Sequence, residues 1–269
     1  TPQKTELGLS LLTHRPDGDK DGYFLLMLSP GIDVKQDKVV EKDVAFVLDT
    51  SGSMAGKKIE QAKKALEFCL HNLNEGDRFE VVRFSTEAET LFSELKEVSK
   101  ASRDKALNFV KGLKPIGGTA INDAMAETLK LRPKDSKRPF VVIFLTDGRP
   151  TVGITGESQI VKNVKDTAGK TRVFCFGIGN DVNTHLLDKI TESTRAFSQY
   201  VLPSEDIEVK VSQFYTKINE PVMADPDVVV SWEVALKQFY PMPLPDLFKG
   251  DQLVVTGRYS GKGKGDLLL

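Results

Sequence analysis

Val44-Ala45-Phe46-Val47-Leu48-Asp49-Thr50-Ser51-Gly52-Ser53-Met54 is the stretch that decides the fold. Five apolar residues end on an acid, and a glycine between two serines follows. A short continuous apolar run bounded by turn residues reads as a strand buried on both faces. The same grammar returns in Phe140-Val141-Val142-Ile143-Phe144-Leu145, followed by Thr146-Asp147-Gly148. Between the two lies Gly117-Gly118-Thr119. Asp49, Ser51, Ser53, Thr119 and Asp147 therefore place two carboxylates and three hydroxyls where strands give way to loops. These are all hard oxygen donors, which suit Mg2+, or Mn2+ or Ca2+, rather than zinc or copper. The plainer alternative is that Asp49 and Ser51 only cap the helix that follows.

Working outward, strands are expected at 44–49, 79–84, 88–93, 140–146, 172–178 and 196–201. Helices are expected over 57–73, 100–112, 120–131, 157–169, 183–194 and 204–219. In the first of these, Ile59, Ala62, Leu66, Cys69, Leu70 and Leu73 recur at steps of three and four, the spacing of one helix face. Alternation of this kind predicts an α/β fold: a doubly wound, mostly parallel six-stranded sheet with helices on both faces. Such sheets collect ligands at the carboxyl ends of their strands, where strand order reverses. The connection inside 84–93 is too short for a crossover helix, so an antiparallel edge strand is expected there.

The chain ends follow a different rule. Leu7–Leu12, Tyr23–Leu28, Val228–Trp232 and Leu253–Gly257 alternate with period two and show no helical spacing. The expected organisation is a central domain over 43–219, with segments 1–42 and 220–269 forming a second, small antiparallel β unit. Two unrelated linkers are the alternative.

Composition narrows the function classes. The chain has 269 residues with 37 Lys plus Arg against 38 Asp plus Glu, a balance that gives no long-range attraction to nucleic acid or anionic lipid. No apolar stretch reaches the roughly 20 residues of a membrane helix. His14, His71 and His185 are isolated from one another in sequence, so no histidine metal cluster is in view. Cys69 and Cys175 read as small buried hydrophobes.

Longer motifs carry a family resemblance. The Asp-x-Ser-x-Ser run, the Thr after Gly-Gly and the Asp of Thr-Asp-Gly resemble the metal-ion-dependent adhesion site (MIDAS) of von Willebrand factor A-type domains, at all five positions. Leu12-Thr13-His14-Arg15-Pro16, Phe144–Gly153, Gly177–Val182, Tyr240-Pro241 and Leu244–Phe248 resemble the inter-alpha-trypsin inhibitor heavy chain type of that domain. The absence of Asn-x-Ser/Thr sequons and of a cysteine framework points to a bacterial relative of this type. In that family a further β domain precedes this region and another domain follows it.

The resemblance implies a metal-dependent protein-binding and adhesion module rather than an enzyme. In it, Ser51, Ser53 and Thr119 would hold the ion directly, and Asp49 and Asp147 would act one water further out. A partner protein's Asp or Glu carboxylate would complete the shell. It also implies an extracytoplasmic setting: periplasmic, cell-surface or secreted. One alternative is a structural metal site occupied from within the protein. A metal-dependent hydrolase is another, but no Gly-x-Ser-x-Gly elbow is present. Position 51, where an Asp49-nucleophile phosphotransferase would want its second acid, is serine. Gly52–Lys57 imitates a phosphate loop but is one residue short, with Lys58 in place of Ser or Thr.

Overall fold

The computed structural model of the protein describes residues 7–30, 41–134, 138–219, 221–223, 226–230, 233–245, 247–248, 251–261 and 267–268. The strands, in chain order, begin with β1 (Leu7–His14), β2 (Asp21–Pro30), β3 (Asp43–Asp49), β4 (Arg78–Phe84) and β5 (Ala88–Thr90). Next come β6 (Lys96–Glu97), β7 (Phe140–Thr146), β8 (Arg172–Ile178), β9 (Ser198–Val201) and β10 (Pro221–Met223). The last are β11 (Val229–Val230), β12 (Val234–Tyr240), β13 (Leu247–Phe248), β14 (Leu253–Gly261) and β15 (Leu267–Leu268). The α-helices are α1 (Lys57–His71), α2 (Lys100–Gly112), α3 (Ile121–Lys130), α4 (Glu157–Ala168), α5 (Thr184–Ser193) and α6 (Ile207–Asn219). The chain divides into two compact units, Val39–Tyr215 and the two ends, Thr1–Lys38 with Thr216–Leu269.

In the first unit the sheet runs β5-β4-β3-β7-β8-β9, with β6 also paired to β4. Strands β4, β3, β7, β8 and β9 are mutually parallel, and β5 and β6 pair antiparallel with β4. The edge strand foreseen within 84–93 is β5. The sheet has seven strands rather than the expected six, because the two-residue β6 is too short to leave a period in the sequence. Past β5 the Leu91 N–H still donates to Val81 O of β4 at 2.9 Å, and the Glu80 carboxylate then takes over as acceptor. It accepts from the N–H groups of Phe92 (3.0 Å) and Glu94 (3.2 Å), and shares that of Leu91 (3.1 Å).

Alternate strand residues feed the two faces. Ala45, Val47, Val82, Phe84, Val142, Phe144, Val173 and Cys175 pack with Ile121 and Met125 of α3, Ile160 and Val164 of α4, and Leu186 and Ile190 of α5. On the other face Phe174 and Phe176 meet Phe214 of α6 edge-on, with ring centroids 6.0 and 5.4 Å apart. Ile59, Ala62, Leu66, Cys69 and Leu70 of α1 are all buried, as is Leu73 just past its end. Cys69 and Cys175 are free and buried, and burial pushes both thiols well above the ordinary range. Strand order reverses between β3 and β7, since β4 lies beyond β3 and β8 beyond β7. Asp49 and Asp147 therefore stand at the carboxyl ends of neighbouring strands at the switch point, where such sheets bind ligands.

The ends build an antiparallel four-stranded sheet in the order β1-β2-β14-β12, so both termini contribute to it. Two short pairs, β10 with β13 and β11 with β15, are also antiparallel. Its core gathers Phe24, Leu26, Leu28, Val228, Leu244, Leu247, Leu253 and Val255. Ser231 and Trp232, read as the end of a strand over 228–232, lie outside the described residues.

Candidate metal centre

The site is built on β3, β7 and the loops that leave them. Asp49 closes β3 and is fully buried. Its Oδ1 accepts the Ser51 N–H at 2.8 Å, and its Oδ2 accepts the Thr146 hydroxyl at 2.6 Å. The Asp49 carboxyl is thus fastened to its own loop and to the end of the neighbouring strand. Thr146 Oγ1 in turn accepts the Gly148 N–H at 2.8 Å, fixing the turn that carries Asp147. Ser51 and Ser53 face each other, with hydroxyl oxygens 3.0 Å apart. The loop bearing them is a short 3-10 turn, Gly52–Met54, with Met54 buried beneath it.

Thr119 enters on a third loop, laid against the first by backbone hydrogen bonds. Gly52 N–H donates to Gly117 O at 2.9 Å, and Ile116 N–H donates to Thr50 O at 2.8 Å. Gly117 has φ +82°, and a Cβ there would stand 2.7 Å from Thr86 Oγ1, so only glycine turns the chain here without strain. Thr119 itself is buried and paired through its backbone. Its N–H donates to Thr151 Oγ1 at 2.8 Å and its carbonyl accepts the Thr151 N–H at 2.9 Å.

Asp147 follows β7 and is fully buried. Its Oδ2 accepts from Lys58 Nζ at 3.2 Å, while its Oδ1 is buried without a protein partner. An orphaned buried carboxylate oxygen is costly unless something pairs with it. Asp49 shows the same pressure. Burial raises its carboxyl to about 6, against the opposing pull of the hydrogen bonds from Thr146 and Ser51, and the neighbouring Asp147 adds to the rise. Two buried acids beside hydroxyl oxygens fit a hard divalent cation in chemistry and in charge. Among the described residues no three His, Cys, Asp or Glu side chains cluster as a metal site. That agrees with a donor set in which hydroxyls outnumber acids.

The hydrogen bonds therefore bring Asp49, Ser51 and Ser53 into one cluster. They tie Asp49 to the residue preceding Asp147, and they pin the Thr119 loop to the serine loop. Sequence reading missed Thr146, Thr151 and Lys58. Lys58 also bonds Asp181 Oδ1 at 2.8 Å, and Arg149 Nε donates to the Asp181 carbonyl at 2.7 Å. Its only sequence trace was a lysine standing where a phosphate loop would need a hydroxyl.

The family model described as von Willebrand factor type A domain matches residues 42–200. The chain belongs to the von Willebrand factor type A domain family. Human inter-alpha-trypsin inhibitor heavy chain H4 is similar, 32% identical over 256 residues that make up 91% of this chain and 27% of that protein. The chain thus spans about a quarter of the length of the curated relatives it matches. Among solved structures, a von Willebrand factor type A protein from Catenulispora acidiphila superposes with a TM-score of 0.71 at 17% identity, covering 98% of this chain and 67% of its own. Proximal thread matrix protein 1 from the mussel byssus, described with a zinc-occupied MIDAS motif, superposes with a TM-score of 0.53 at 23% identity, covering 66% of this chain and 46% of its own.

Proposed function

We propose that this A domain binds a divalent cation at Asp49, Ser51, Ser53, Thr119 and Asp147, and through it captures a carboxylate of a partner protein. The observation that carries the reading is the buried, unpartnered Asp147 Oδ1 beside the Asp49–Ser51–Ser53 cluster. A bound divalent cation would supply an electrophilic coordination position for an external carboxylate. Thr146 and the Ser51 N–H hold Asp49 in place, and the paired backbone bonds of Thr151 hold Thr119. The serine hydroxyls are neutral ligands, so the acids lower the ion's charge only in part. We take the metal to be Mg2+ or Mn2+. Zinc in the mussel relative shows that this kind of site is not closed to other ions.

The reading is non-enzymatic. Among the described residues, no histidine nitrogen pairs with a serine, threonine or cysteine side chain, and His185 bonds instead to Glu157 at 2.7 Å. A nucleophile without an adjacent base is not activated. The heavy-chain resemblance supports a module that works outside the cytoplasm. No helix among the described residues is long and apolar enough to cross a membrane.

The test is thermal. A cation at about 100 times its Kd adds roughly 2.7 kcal/mol to the folded state. Mn2+ or Mg2+ should raise the melting temperature, EDTA should reverse the rise, and Asp147→Ala and Asp49→Ala should abolish it. Equal Mn2+ affinity by calorimetry in the wild type and in Asp147→Ala would sink the assignment.

A further inference from the structure

We infer that Lys58 is a resident counter-cation of the metal centre, one that keeps divalent-cation affinity low until an external carboxylate joins the site. This rests on the metal reading above. Lys58 lies in the first turn of α1, and its side chain is only 17% exposed. Its ammonium spans two acids on two different loops, Asp147 after β7 at 3.2 Å and Asp181 after β8 at 2.8 Å. The stem has a dedicated channel: a Cβ on Gly179, where φ is +124°, would stand 2.7 Å from Lys58 Cε. A side chain at 179 would crowd the end of the lysine, so the glycine there leaves room for it.

The pairing is lopsided in a way that matters for the metal. Asp181 is half exposed and could be satisfied by water, whereas Asp147 is fully buried. Lys58 occupies one oxygen of the Asp147 carboxylate and leaves the other, Oδ1, buried and unpaired. A divalent cation at Oδ1 would meet the ammonium across the same carboxylate. The centre's two buried negative charges are thus reduced by one positive charge that cannot leave easily. Like charges this close, away from bulk water, repel strongly. Lys58 accordingly has two effects of opposite sign: it stabilises the metal-free site by pairing Asp147, and it weakens cation binding. An incoming carboxylate restores the missing negative charge, so cation and partner each strengthen the binding of the other, as linkage requires.

The experiment uses the whole chain with Mn2+ alone as probe, in wild type, Lys58→Gln and Lys58→Arg. Calorimetry should find Mn2+ bound roughly 10–100-fold tighter by Lys58→Gln than by wild type. Lys58→Gln without metal should melt lower than wild type, because Asp147 loses its ion-pair partner. Lys58→Arg keeps the charge and should stay near the wild-type affinity. A lysine that merely braces the loops predicts weaker Mn2+ binding in Lys58→Gln; that result, or an unchanged affinity, overturns the inference while leaving the metal site standing. Absence of Mn2+ binding in both wild type and Lys58→Gln overturns the metal reading and this inference with it.

Discussion

All seven residues of β3 are buried, whereas β14 alternates buried and exposed residues along Leu253, Val254, Val255 and Thr256. The two strands belong to sheets built from one polypeptide under different constraints. The parallel sheet has helices packed against it, so its central strands β3, β7 and β8 are mostly apolar. The antiparallel sheet from the chain ends keeps a core on one face and leaves the other open. Among the described residues, the candidate donors gather on the parallel sheet. Its five parallel strands deliver their carboxyl ends to one side, and the reversal of strand order between β3 and β7 is where such sheets bind ligands. Antiparallel strands scatter their ends to both edges, and the end-derived sheet carries no comparable gathering of acids and hydroxyls among the described residues.

The largest expected effect tests the closed nature of the parallel sheet. Phe144 of β7 stacks on Phe84 of β4 with ring centroids 5.3 Å apart, and both rings are fully buried. Removing one leaves a cavity that rigid neighbours fill poorly. Phe144→Ala should cost about 3–5 kcal/mol by denaturant unfolding. A loss under 1 kcal/mol would mean that this layer collapses easily and is less tightly packed than its burial suggests.

A somewhat smaller effect tests the site's electrostatic cost. Burial holds the Asp49 carboxyl at about 6, above its ordinary value of 3.8. The folded chain therefore prefers the protonated acid, and the ionised form destabilises it. The penalty is full above pH 6, shrinks as pH falls through 6, and is gone below about 4. For a group this buried it amounts to about 3 kcal/mol at most. In EDTA, wild type should gain stability relative to Asp49→Asn as pH falls from 7.5 to 4. Cation binding should run the other way, weakening below pH 6 as Asp49 takes up a proton. A stability difference independent of pH would show that Asp49 is solvated in the metal-free state.

The sequence made the α/β order and the β character of the ends legible because both rest on short-range period. The candidate donors Asp49, Ser51, Ser53 and Asp147 were legible because each ends or closely follows a strand, and Thr119 because it follows a Gly-Gly pair. The contacts that fasten them were not. Lys58 and Asp147 are 89 positions apart, Lys58 and Asp181 123, and Asp49 and Thr146 97. Nothing local to Lys58 says which acids it will meet. The end of β5 was hidden for a similar reason: the Glu80 carboxylate that accepts from the amides past it sits on another strand. Two-residue strands such as β6 and β13 are pairings rather than patterns, and no window along the chain reveals them.

The smallest expected effect tests whether the open face of the end-derived sheet is open in solution. Leu12 pairs with Leu25, Leu25 with Thr256, and Thr256 with Tyr240, so these four side chains form one row across the sheet. They lie on the face opposite Leu26 and Val255, and Leu12 is 57% exposed. The sheet's two edges also differ. β12 carries a register shift between Leu236 and Gln238 and the charged Lys237, both familiar protections for a free edge. β1 has no charge and no proline from Leu7 to Thr13. Leu12→Thr introduces a β-branched side chain, which strands favour, and removes apolar surface that water already reaches. Its effect on unfolding should stay within about 0.5 kcal/mol. Leu26→Ala, on the buried face of the neighbouring strand, should cost about 2–5 kcal/mol. If Leu12→Thr cost as much as Leu26→Ala, the row would have to be covered in solution, and the contrast between a closed parallel sheet and a half-open antiparallel one would fail at that point.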